Sequence, residues 1–100
     1  MAYHLSNKAV EDLLHIYDEG LVLFGRNLTE AYFAKFENTF QLLAENPKLA
    51  RERIELNPPL RIHPFQSHLI IYQIEENNDI LIIRIRHSRE DWETPLLGDE

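Results

Sequence analysis

A single change of period limits what this chain can fold into. From Ala9 to Leu43 apolar residues recur at three- and four-residue steps, and after Pro58-Pro59 the repeat drops to two. The first spacing places side chains along one helix face; the second alternates them across a strand. The chain is therefore read as helices followed by a sheet, and one hundred residues suffice for one core and no second domain.

In the helical half, Ala9, Leu13, Ile16, Tyr17, Leu21 and Phe24 make one stripe, with Ser6 placed to cap its start through its hydroxyl. Gly25 ends that helix at a position suited to a left-handed cap. Asn27, followed by Glu30, reads as a capping-box-like start of a second helix, whose stripe is Leu28, Ala31, Tyr32, Phe36, Phe40 and Leu43. Only about two residues join the stripes, so the helices must pack as an antiparallel hairpin. Asn46-Pro47 stops the second helix. Lys48 to Asn57 is a polar connection, at most one helical turn.

Tyr3 to Leu5 fits a short first strand, and three more follow: Leu60 to Phe65, His68 to Glu75, and Ile80 to His87. Gln66-Ser67 and Glu76-Asn77-Asn78-Asp79 are hairpin turns, where asparagine tolerates positive backbone angles. The expected fold class is α+β, a helix hairpin on one face of a mostly antiparallel sheet of three or four strands. Strict alternation puts Leu81, Ile83 and Ile85 on the helix-covered face. Ile80, Ile82, Arg84 and Arg86 then make an open, mixed apolar and cationic surface of the kind that binds partners. Beyond His87, the core is expected to run to about Trp92, with residues 93–100 a fraying tail.

Composition removes several functions. The chain has no cysteine, hence no disulfide, thiolate metal site or cysteine nucleophile. It has neither a leader-like N-terminus nor an apolar run of membrane-spanning length, so a cytoplasmic location is the expectation. Seventeen acidic against ten basic residues give a net charge of -7, the wrong sign for a protein that binds nucleic acid on its own. Arg61, Arg84, Arg86 and Arg89 nonetheless gather with His63, His68 and His87 in the second half.

Several local strings resemble ParE toxins of the RelE/ParE toxin-antitoxin superfamily over residues 3 to about 92. They are Leu5-Ser6 with Ala9 and Asp12-Leu13, Phe24-Gly25, Leu43-Ala44-Glu45-Asn46-Pro47, and Leu60-Arg61 with Pro64-Phe65. Ser67-His68-Leu69-Ile70-Ile71-Tyr72 follows, then Ile82-Ile83-Arg84-Ile85 with His87, Arg89 and Asp91. The resemblance implies a toxin neutralised in a hetero-oligomer with a ParD-like antitoxin and poisoning DNA gyrase by binding, without catalytic residues, cofactor or metal. The sequence departs from the family pattern at Gln66, where glycine is frequent, and at Glu90, where a hydrophobic residue is usual.

Residue by residue, the partner-binding candidates are Arg61, Arg84, Arg86, His87, Arg89 and Trp92. Arg61 serves equally to tie the fold together or to reach an acidic partner, and Trp92 either closes the core or anchors a partner. Phe33, Val10 and Leu14 either widen the hairpin's apolar face or form a groove for an antitoxin helix. A ribosome-dependent RNase of the RelE type is the rival reading: Arg61, Arg84 and Arg86 would hold phosphate while His87 or Glu90 shuttles a proton. The lysine-rich second helix and the C-terminal tyrosine of that branch are missing. A non-toxic binding module is the other rival.

Overall fold

The computed structural model describes residues 2–89. β1 (Tyr3–Leu5) leads into α1 (Asn7–Phe24) and α2 (Arg26–Glu45), then β2 (Glu52–Arg53), β3 (Leu60–Phe65), β4 (His68–Ile74) and β5 (Ile80–His87). The five strands form one sheet in the order β1-β5-β4-β3-β2. All neighbours are antiparallel except β1, which lies parallel to β5 with Tyr3 opposite Ile80. The architecture is α+β, two helices on a mostly antiparallel sheet, as the change of period requires. No helix among the described residues is long and apolar enough to cross a membrane.

Ser6 caps α1 as its chemistry suggests: its Oγ accepts from the Ala9 amide at 3.0 Å and donates to the Ile83 carbonyl at 2.6 Å. One residue makes the whole helix-to-helix turn. Gly25, at φ 83 and ψ 173, donates its N–H to the Leu21 carbonyl, while its own carbonyl accepts from the amide and hydroxyl of Thr29. The positive φ suits glycine, but the extended ψ replaces the left-handed cap expected there. Because Gly25 already opens α2, that helix starts at Arg26 and Asn27 is not its cap. Gly20 of α1 faces Thr29 of α2, whose side chain fills the space a Cβ on Gly20 would need.

Phe36, Phe40, Leu43 and Ala44 of α2 and Ala9 of α1 pack on Phe65, Ile70, Tyr72, Ile80, Ile82 and Ile85. Ring contacts run through this core, Phe36 to Phe65 at 4.4 Å and Tyr3 to Phe40 at 5.3 Å. The face assignment made from alternation is therefore corrected: Ile80 and Ile82 are helix-facing and fully buried. A bulge causes the difference. Ile71 pairs with Arg84 and Tyr72 with Ile82, leaving Ile83 as the extra residue, so Ile85 opposite Ile70 returns to the same core. On the reverse face Leu60 and Ile71 form a second apolar cluster with Leu56, Ile62 and Ile83. The connection after α2 also holds a strand that the sequence reading omitted, with Glu52 opposite Arg61 and Arg53 opposite Leu60.

A candidate protein-interaction groove

The hairpin tip around Gly25 is apolar and open to solvent. Leu21, Val22, Leu23, Phe24 and Leu28 are all exposed, Val22 at 84% and Phe24 at 63%. Leu21 and Phe24 were expected in the core stripe; four consecutive apolar positions span about 300° of a helix, and the core takes only one side. Between this tip and the β3–β4 turn lies a groove of about 660 Å³ lined by Leu23, Phe24, Leu28, Tyr32, Phe33 and the turn residues Gln66 to His68. Its walls are mostly apolar; Ser67, His68 and His87 add polar groups from the sheet side, and Glu19 and Lys35 from the helices.

The polar end is organised around His68. The Tyr32 hydroxyl and His68 Nδ1 are hydrogen-bonded at 2.9 Å, and the His87 ring stands edge-on to His68 with centroids 5.5 Å apart. Burial raises the Tyr32 phenol above the ordinary tyrosine value, so the hydroxyl keeps its proton through the physiological range. The turn below is tight: Gln66 adopts φ 55, the region where the family pattern has glycine. Beside the groove, Arg86 and His87 join Asp12, His15, Glu19 and His68 around a smaller, more polar depression.

Of the expected partner-binding residues, His87 lines the groove and Arg86 its neighbouring depression, while Arg89 is exposed one turn beyond, its amide donating to His87 Nδ1. Arg61 and Arg84 lie elsewhere. Arg61, near the other end of β3, donates from Nη1 to the Ala50 carbonyl at 2.7 Å and so holds the connection that follows α2. Tyr72 does the same with the Pro47 carbonyl at 2.8 Å. Arg84 was expected on an open surface and is instead 8% exposed, its Nε and Nη2 donating to the two oxygens of Asp12 at 2.9 and 3.2 Å. Its removal would therefore not leave folding unchanged. Trp92 and Glu90 lie outside the described residues.

Phe33 is partly buried against the core and meets Tyr17 edge-on at 5.3 Å, so it supports the groove wall and does not stand apart from the fold. Val10 and Leu14 are exposed. His63 is paired in β3 with Ile70, and burial pushes its imidazole below the ordinary histidine value. Tyr32, His68 and the apolar tip were not among the sequence candidates; the Leu21-Val22-Leu23-Phe24 run was the readable sign of the last.

The site is thus an open, mostly apolar groove on a small α+β frame of helix hairpin and sheet. The family model described as ParE toxin of type II toxin-antitoxin system, parDE, matches residues 3–92, and the chain belongs to that family. It is similar to Toxin ParE1 of Mycobacterium tuberculosis, in strains CDC 1551 / Oshkosh and ATCC 25618 / H37Rv. The identity is 28% over 89 residues, covering 89% of this chain and 91% of the relative. The fold also matches a solved structure titled "Chromosomal ParDE TA system from P. aeruginosa", at a TM-score of 0.74 and 21% identity, covering 87% of this chain and 95% of that one.

Proposed function

We propose that this chain is the toxin half of a type II toxin-antitoxin pair in the bacterial cytoplasm, held inactive by a ParD-like antitoxin and acting by binding DNA gyrase. The observation that carries the reading is the groove under the hairpin tip. Its exposed Leu23, Phe24 and Leu28, with polar His68 and His87 at one end, suit an amphipathic helix laid apolar side down. Antitoxin binding there would keep the tip from other contacts. On gyrase the chain would act without covalent chemistry, by holding the state in which DNA is cleaved more tightly than the resting state and so raising its population. Support for a binding role comes from the charge of -7, unsuited to free RNA. The RNase reading also loses one of its phosphate ligands, because Arg84 is engaged by Asp12.

The test is induced expression in bacteria with and without the product of the neighbouring gene, followed by supercoiling and cleavage assays on purified gyrase. Growth arrest relieved by the neighbour, with cleaved DNA trapped on gyrase, is the expected result. Arrest with untouched gyrase and cut ribosomal message would replace the target. Growth without arrest would leave a binding module that has lost its toxicity.

A further inference from the structure

α1 carries two apolar lines, and the core takes only one of them. Ala9, Leu13, Ile16 and Gly20 run along its inner side, Ala9 fully buried and Leu13 and Ile16 packed on the core. Val10, Leu14, Tyr17, Leu21 and Phe24 follow about 100° round the helix, at steps of four, three, four and three residues. Tyr17 rests on Phe33, while Val10, Leu14, Leu21 and Phe24 are 41, 59, 37 and 63% exposed.

A single exposed leucine has no meaning. Five positions alternating by four and three have one, because the mean of 3.5 is the repeat by which a second helix inserts its side chains between those of the first. The line runs about 21 Å at the helical rise, enough for several interlocking layers. Its border is acidic: Glu11 and Asp18 each stand one position beyond a residue of the line, and both are exposed. In an antiparallel pairing of two copies Glu11 and Asp18 would face their own equivalents, on a chain of charge -7. A second copy is therefore the wrong occupant.

We propose that this line docks a helix of a partner protein whose apolar residues repeat every 3.5 positions and whose flanking positions carry lysine or arginine. The docking line is separate from the groove under the hairpin tip, touching it only at Phe24, and stands whatever fills that groove.

Two synthetic helices of roughly 21 residues, with leucine at the repeat positions and either lysine or glutamate beside them, are labelled and titrated into the full chain by fluorescence anisotropy. The lysine helix is expected to bind about tenfold or more tightly than the glutamate helix. Leu14→Glu should abolish its binding without lowering the thermal midpoint, and Glu11→Lys with Asp18→Lys should reverse the preference. Leu28→Glu, in the groove, should leave the affinity as it was; loss there would assign the peptide to the groove and overturn the proposal. It also falls if neither helix binds, if both bind alike, or if Leu14→Glu leaves binding intact. Sedimentation showing self-association that Leu14→Glu removes would make a second copy the occupant, and the proposal would be wrong.

Discussion

Asp12 and Arg84 join the first helix to the last strand. Both carboxylate oxygens are engaged by the guanidinium, and Asp12 Oδ2 also accepts the Ile85 amide at 2.9 Å. That amide lies just past the point where β1 ends beside Ile82, and among the described residues β5 has no strand partner on that side beyond it. The carboxylate thus does the work of a strand at this point, and the guanidinium is its counter-charge in a setting where the two side chains are 10 and 15% exposed.

Asp12→Ala is expected to destabilise the chain by about 3 kcal/mol, because a shielded guanidinium loses its counter-charge and the Ile85 amide its acceptor. Asp12→Asn, which keeps an acceptor, should lose about half as much. Urea unfolding followed by circular dichroism measures both. Equal losses for the two variants would mean that the charge contributes nothing beyond the hydrogen bond.

Gln66→Gly should stabilise the protein by about 0.5 to 1 kcal/mol. The residue sits at φ 55, where a side chain is strained and glycine is not, and the gain is reduced by glycine's greater freedom when unfolded. A higher urea midpoint at unchanged slope is the expected reading.

A methyl group on Gly20 would meet Thr29 Oγ1 at 2.8 Å and Cγ2 at 3.0 Å, inside a buried contact. Gly20→Ala should therefore cost about 1 to 2 kcal/mol despite alanine's better helix propensity. Combined with Thr29→Ala, which already loses the hydroxyl bond to Gly25, it should cost little more than Thr29→Ala alone. Additive losses in this double-mutant cycle would disprove the close contact.

Phe24→Glu is expected to shift stability by about 0.5 kcal/mol or less, since the ring is largely in solvent, yet to weaken the antitoxin complex about tenfold or more. Calorimetry on the purified pair decides it. Unchanged affinity would place the antitoxin away from the hairpin tip.

Burial lowers the His63 pKa in the folded chain relative to the unfolded one. The unfolded state then binds the proton more readily, so stability falls as pH drops from the ordinary histidine value towards the lower folded value, and is unaffected above that window. His63→Gln should flatten the stability profile in that interval only. A slope that persists unchanged would assign it to another group.

The elements other than β2 were legible because each was written in local chemistry: Ser6 before a stripe, a glycine between stripes, Asn46-Pro47 after them, and Asn78, which takes the positive φ of 71 its turn needs. Facing was not legible in β5. Ile80, Leu81, Ile82 and Ile83 are all apolar, so alternation has no phase there, and the bulge at Ile83 reverses it before Arg84. Arg84 left the candidate surface for a different reason: Asp12, seventy-two residues earlier in the chain, engages its guanidinium. β2 was hidden for another reason: two residues in a charged connection carry no period, and Glu52 and Arg53 become a strand only because β3 offers an edge. The groove was half visible, as an apolar run too long for one helix face, but its other wall comes from a turn some forty residues away in sequence, which no local pattern announces.

The parallel pairing of Tyr3 with Ile80 and of Leu5 with Ile82 also sets an order of events. At ribosomal speeds of about 5 to 20 residues per second, the first strand waits roughly 4 to 15 seconds for the strand it must lie beside. The helix hairpin is complete long before that, with Phe36 and Phe40 still lacking the sheet that will cover them. A newborn chain is thus sticky for longer than its size suggests, and a partner already present during synthesis meets it before it has closed.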